Sequence, residues 1–204
     1  MLWLTASREV TLLSYSYKLI VAMRTQESAL MVSVASLYAV LTLALAPISF
    51  GPIQLRISDC LITLSALLGP PVVIGVTLGC FIGNLLFYVS GGAFAMSLGL
   101  VFDVTLGPLA NLVASLTLFT FRGKAKMACL LAALEIGVIV GSYLWLIFPP
   151  PELTPGLPAW LYVIVSVSLS SLISIAVLGY AVLTLFKREA LRKLLKSWGL
   201  KLYL

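Results

Sequence analysis

The sequence predicts an all-α integral membrane protein, a bundle of six transmembrane helices. Three observations predict it. Hydrophobic residues make up 61% of the chain and charged residues only 10%, with a mean hydropathy of +1.14, far outside the range of soluble domains. Long apolar runs alternate with short polar connectors, and 204 residues hold about six helices of the ~20 residues that each crossing needs. The basic residues collect in the connectors that such a bundle places on one side.

Residues 1–28 mix Arg8, Lys18 and Arg24 with Leu12, Leu13, Leu19 and Ile20 at helical spacing. They read as an amphipathic surface helix. An overlong start to the reading frame is the other reading, since Met23 and Met31 are alternative starts. The first span is expected over 29–48. Ala44-Leu45-Ala46 has the small-residue pattern of a signal-peptidase site, but the run is long enough to span and the region before it is unlike a short basic leader. On this span Ala35 and Ala39 stand one helical step apart, beside Ser28, Val32 and Ser36, a face that lets another helix approach closely.

The second apolar run ends at Gly69-Pro70-Pro71, a triplet that breaks a helix. From Ile57 it has only about a dozen residues, roughly 18 Å as α-helix, so one end must lie inside the membrane, carrying Asp59 below the outer surface. The third span, 72–89, carries Gly75, Gly79 and Gly83 at four-residue spacing and then Asn84. The fourth, 94–119, contains Asp103, Gly107, Pro108 and Asn111; the fifth, 127–148, contains Glu135; the sixth opens with Trp160 and Tyr162 as interface anchors and ends near 186. Residues 187–204 carry six basic groups, one acid, and Leu191, Leu194, Leu195 and Trp198 on one side, the pattern of a helix lying on an anionic membrane surface. The chain thus divides into an amino-terminal segment (1–28), a transmembrane domain (29–186) and a basic tail (187–204).

With both termini cytoplasmic, the inner loops and tails hold every basic residue except Arg56. That bias accounts for the 13 basic residues against 7 acidic ones, so no nucleic-acid partner is expected; the chain is placed in the cell membrane as a multi-pass protein. The chain has no histidine, and Cys60, Cys80 and Cys129 are far apart, so no metal site or cofactor is expected. Gly123-Lys124 lacks the glycine-rich loop and the following Ser or Thr of a phosphate cradle, and Ser–His hydrolysis has no histidine to use. An aspartyl mechanism through Asp59 and Asp103 lacks its flanking motifs. The chain is read as a non-enzyme.

The stretch from Phe50 to Asp59, Phe-Gly-Pro-Ile-Gln-Leu-Arg-Ile-Ser-Asp, packs an amide, a guanidinium, a hydroxyl and a carboxyl group between two apolar runs. Charges beside a bilayer core are kept where they face a cavity, a partner or a solute, so this stretch is the first candidate for recognition. The plainer reading is a connector in which Arg56 and Asp59 neutralise each other. Together with Leu37-Tyr38-Ala39-Val40-Leu41-Thr42 and Leu78-Gly79-Cys80-Phe81-Ile82-Gly83-Asn84, it resembles the QueT family over residues 35–121. The Gly-Pro-Ile-Gln-x-Arg-x-Ser-acid run is the specific part. Asp59 stands where Glu is common in the family, one bond shorter.

The resemblance implies a six-helix S component of an energy-coupling factor (ECF) importer. Such a subunit captures a deazaguanine-type queuosine precursor from outside and works with a transmembrane coupling subunit and two ATPases. It implies contact with the coupling subunit at Ala35 and Ala39. The substrate set expected here is Gln54, Arg56, Asp59, Asn84 and Asp103, with Tyr88, Phe102, Tyr143 and Trp145 as aromatic walls: carboxylates match a donor edge and a cationic arm, and rings match the base. Two other functions fit the residues: a self-sufficient secondary transporter or channel using Asp103 and Glu135, and a scaffold in which Asn84, Asn111 and Glu135 join helices.

Overall fold

The computed structural model describes residues 25–50, 54–90, 98–146 and 158–203. The amino-terminal segment therefore lies outside the described residues up to position 24. All regular structure among the described residues is helical. Five helices are long and apolar enough to cross a membrane: α1 (Thr25–Ala44), α4 (Pro70–Ser90), α5 (Leu98–Thr120), α6 (Ala125–Leu144) and a final run from Ala159 to Phe186. The short α2 (Ala46–Ser49) follows α1. The final run is α-helical over α7 (Ala159–Ser171), widens to a π-helix at Leu172–Gly179 and closes as α8 (Tyr180–Phe186). The tail forms α9 (Glu189–Ser197).

A sixth apolar element, Ile57–Leu68, is too short to span. Ile57–Leu64 is a 3₁₀-helix and only Ser65–Leu68, α3, is α-helical. The tighter winding rises ~2.0 Å per residue, so the element reaches about 22 Å, more than the α-helical expectation but still short of ~30 Å. Ile57, Ile62 and Thr63, all β-branched, lower the preference for α-helix over this stretch. Its carboxyl-terminal end is fixed by Gly69, whose φ of +70° only glycine adopts without strain, and Pro70 opens α4 directly.

Residues 58–68 are all buried, enclosed by α1, α4, α5 and the π-helical stretch. The Thr63 hydroxyl sits 2.8 Å from both the Cys60 and the Gly179 carbonyl oxygens, tying the 3₁₀-helix to the widened turn. Around this element the long helices pack in sequence neighbours, α4 on α5, α5 on α6 and α6 on α7, while α1 closes against α4. The α1–α4 contact is backbone-close: a Cβ at Gly79 would lie 2.7 Å from the Ala35 carbonyl oxygen. Outward faces are apolar, with Val40 60% and Val177 62% exposed, while Asn84 and Thr42 are fully buried. This inside-out polarity is that of a membrane bundle.

The described ends of the chain meet at one end of the bundle. Tyr203 donates its backbone N–H to the Leu67 carbonyl at 2.9 Å and its ring packs edge-on against Phe119, and Gly199 lies beside Gln26. Arg122, Lys124, Lys126 and Lys187 border that same end. Phe50, residues 54–59, Tyr88 and Asp103 lie towards the other.

Candidate functional site

Six elements converge on a buried polar cluster at the end away from the basic residues. From α5, Asp103 is 1% exposed and accepts from two tyrosines, Tyr143 of α6 at 2.9 Å to Oδ1 and Tyr88 of α4 at 3.3 Å to Oδ2. One turn on, Gly107 leaves room for α4: a Cβ there would lie 2.8 Å from Asn84 Nδ2, 3.6 Å from Asp103 Oδ1 and 3.7 Å from Cys80 Sγ. Asn84 Nδ2 donates to the Asp103 backbone carbonyl at 2.7 Å, and its Oδ1 is buried without a hydrogen-bond partner. A backbone carbonyl only accepts, so the amide orientation of Asn84 is fixed.

Asp59, in the first turn of the 3₁₀-helix, accepts through Oδ1 from the Tyr38 hydroxyl of α1. Tyr38 in turn accepts from Asn111 Nδ2 of α5 at 2.8 Å. One turn along α1, Thr42 meets Ser58 at 2.7 Å. A chain of neutral donors thus locks the carboxyl-bearing turn between α1 and α5.

Arg56 departs from the plainer reading of the sequence: among the described residues it forms no ion pair with Asp59. Its backbone is still extended (φ −91°, ψ 92°) at the start of the 3₁₀-helix, which swings the side chain towards α4. Nη1 donates to Cys80 Sγ at 3.5 Å, the guanidinium lies 5.3 Å from the Phe50 ring centroid, and Nη2 is buried without a partner. Phe50 stacks nearly parallel on Phe87 and meets Tyr88 edge-on, forming an apolar wall beside the guanidinium. Gln54 holds a left-handed backbone (φ 49°), a conformation costing roughly 1 kcal/mol, with its carbonyl accepting from Ser170 of α7 at 3.2 Å and its Nε2 buried and unpaired.

The structure therefore brings Gln54, Arg56, Asp59, Asn84 and Asp103 to one end of the interior. Of the expected walls, Tyr88 and Tyr143 bind Asp103 and Phe102 packs on Tyr143 at 6.0 Å, whereas Trp145 gives its indole N–H to the Ser142 carbonyl of its own helix end. Tyr38, Cys80, Asn111, Ser170, Phe50 and Phe87 were missing from the sequence-derived set. Tyr38 and Thr42 share the face of Ala35 and Ala39, and that face is the signal that could have found them. Glu135 stands apart from the cluster, accepting from Thr117 of α5 at 2.8 Å.

Ala35 and Ala39 are buried against Gly79 and Gly83 of α4, so the close approach they permit is taken up within the chain. With Met31, Val32, Ser36, Leu78 and Ile82 they line a groove of about 220 Å³ on the outside of the bundle. A larger cavity, about 380 Å³, opens at the basic end between α1, the short helix and the tail, lined by Leu30, Leu61, Phe186 and Trp198 among others. Its lining is almost wholly apolar, without the converging polar groups that orient a ligand, so it is not taken as the recognition site.

A bundle of apolar-faced helices around a fixed, incompletely paired polar cluster defines a multi-pass membrane protein of the transport class. The sequence model of the QueT transporter family matches residues 28–188, and the chain belongs to that family. It is 37% identical over 78 residues to the queuosine precursor transporter QueT of Lactococcus lactis subsp. cremoris (strain MG1363), a match covering 37% of this chain and 46% of that relative. No solved structure matches.

Proposed function

We propose that this chain is the substrate-capturing S component of an ECF importer. In this reading it binds a deazaguanine-type queuosine precursor from outside and delivers it through a transmembrane coupling subunit driven by two ATPases. The observation that carries the reading is the unpaired set at Arg56, Asn84 and Gln54 beside two carboxyl groups already braced by tyrosines. Bracing holds the acceptors in place before the ligand arrives, and buried groups without partners favour a ligand that supplies them. Asp59 and Asp103 would take the donor edge and the cationic arm, with Phe50, Phe87, Tyr88, Phe102 and Tyr143 as the walls. Both termini are assigned to the cytoplasm, on the strength of the basic residues at the end where the described termini meet. The groove over Ala35 and Ala39 is assigned to the coupling subunit.

The test is reconstitution in liposomes with and without a coupling subunit and its ATPases. The chain alone is expected to bind 7-aminomethyl-7-deazaguanine without transporting it, and uptake is expected only with the coupling module and ATP. Uptake by the chain alone, driven by an ion gradient, would replace this reading with a self-sufficient transporter.

A further inference from the structure

Two side chains, each with one unpaired atom of opposite hydrogen-bonding sense, flank one sulfur through their other nitrogens. Arg56 Nη1 lies 3.5 Å from Cys80 Sγ and Asn84 Nδ2 lies 3.7 Å from the same sulfur. Arg56 Nη2 is a donor that cannot be anything else, and Asn84 Oδ1 is an acceptor whose orientation is fixed by the bond from Nδ2 to the Asp103 carbonyl. Both side chains are more than nine-tenths buried. A ligand edge that satisfies them together presents an acceptor next to a donor.

From this geometry we infer that Arg56 and Asn84 read the lactam edge of the base. Nη2 donates to the ring carbonyl oxygen and Oδ1 accepts from the adjacent ring N–H, which leaves the exocyclic NH₂ of the donor edge to a carboxyl group. The inference rests on the deazaguanine reading and adds to it the residues that set specificity. An amino-substituted ring of the same shape carries an NH₂ and a ring lone pair at these positions. It would set N–H against N–H and lone pair against carbonyl oxygen, so both protein groups would stay unpaired in a dry site. Sites built to hydrogen-bond a substrate group reject the analogue lacking it far more strongly than apolar pockets discriminate by size. A carboxylate ligand would satisfy Arg56 and repel Asn84 Oδ1. Cys80 fits the space between them because a thiol is small, weakly polar and neutral, giving the guanidinium a soft acceptor without neutralising it.

The experiment compares 7-deazaguanine with 2,6-diamino-7-deazapurine, which differ only at this edge, by titration of the purified full chain with thermal melting as a folding control. Wild type is expected to prefer the lactam at least tenfold. Arg56→Lys and Asn84→Leu are expected to reduce that ratio below threefold, while Glu135→Gln, which lies apart from the cluster, retains it. The wild-type ratio decides even where a variant fails to fold. Binding of 7-deazaguanine with less than tenfold preference overturns this inference and leaves the proposed function standing. Binding of neither compound, with stabilisation by an unrelated solute, overturns the proposed function and this inference with it.

Discussion

The two ends of the bundle treat charge in opposite ways. Towards the Phe50–Asp59 end, Arg56, Asp59 and Asp103 are each at most 7% exposed and are held by tyrosines, an asparagine side chain, a thiol and aromatic faces. At the basic end the charges are many and lie at the surface, and the ion pair found among the described residues, Lys193 to Glu189 at 2.8 Å, has side chains 76% and 80% exposed. Exposed pairs of that kind contribute little to stability. The basic end needs only the sign of its charges, to set orientation and meet anionic lipid; the other end needs their positions.

The largest effects are therefore expected at the braced carboxyl groups. Asp103→Asn keeps the shape but removes the charge-assisted acceptor, at a cost of about 2 kcal/mol or more, which is over tenfold in affinity for 7-aminomethyl-7-deazaguanine. Asp59→Asn is expected to do the same. Neither is expected to unfold the chain, since the amide keeps one acceptor oxygen for a bracing tyrosine and sheds the cost of burying a charge. Affinities of both variants within about twofold of wild type, by calorimetric titration, would erase the contrast between the ends.

A smaller effect tests whether bracing matters. Tyr143 donates to Asp103 at 2.9 Å, while Tyr88 donates to the other oxygen at 3.3 Å. Tyr143→Phe removes the shorter bond and leaves the ring against Phe102. It is expected to weaken binding about fivefold, in line with ~1 kcal/mol for one neutral donor, and Tyr88→Phe by less. Equal or larger loss in Tyr88→Phe would mean that the second tyrosine acts on the ligand rather than through Asp103.

How much of this was legible follows from what each signal encodes. Apolar runs and the Gly69-Pro70-Pro71 stop specify where helices lie, so the long spans and the buried short element could be read in advance. Intramembrane polarity pointed to Asp59, Asn84 and Asp103. Pairing was the hidden part. Tyr38 meets Asp59 across 21 positions and Asn111 across 73, and periodicity assigns a residue to a face without naming the face opposite. The same limit applies to Ala35 and Ala39, whose spacing forecasts a close helix without saying that it is α4. The Arg56–Asp59 pair was suggested by adjacency, but adjacency presumes helical backbone, and Arg56 lies just before the helix begins.

The smallest expected effect on binding belongs to the basic end, and it also tests orientation. Lys124 lies in the turn between α5 and α6, in the short Arg122–Lys124 helix, and is exposed. The buried cluster lies towards the far end of those helices, roughly the length of a span away, where a surface charge is screened beyond ~8 Å at physiological salt. Lys124→Cys should therefore leave affinity within about twofold of wild type. The native cysteines, Cys60, Cys80 and Cys129, are all buried, so a membrane-impermeant maleimide should find little else to label. With the basic end cytoplasmic, labelling at 124 is expected in inside-out vesicles and absent in intact cells. Labelling in intact cells would put the basic end outside and turn the polar cluster to the cytoplasm, where it could no longer capture a solute from the medium.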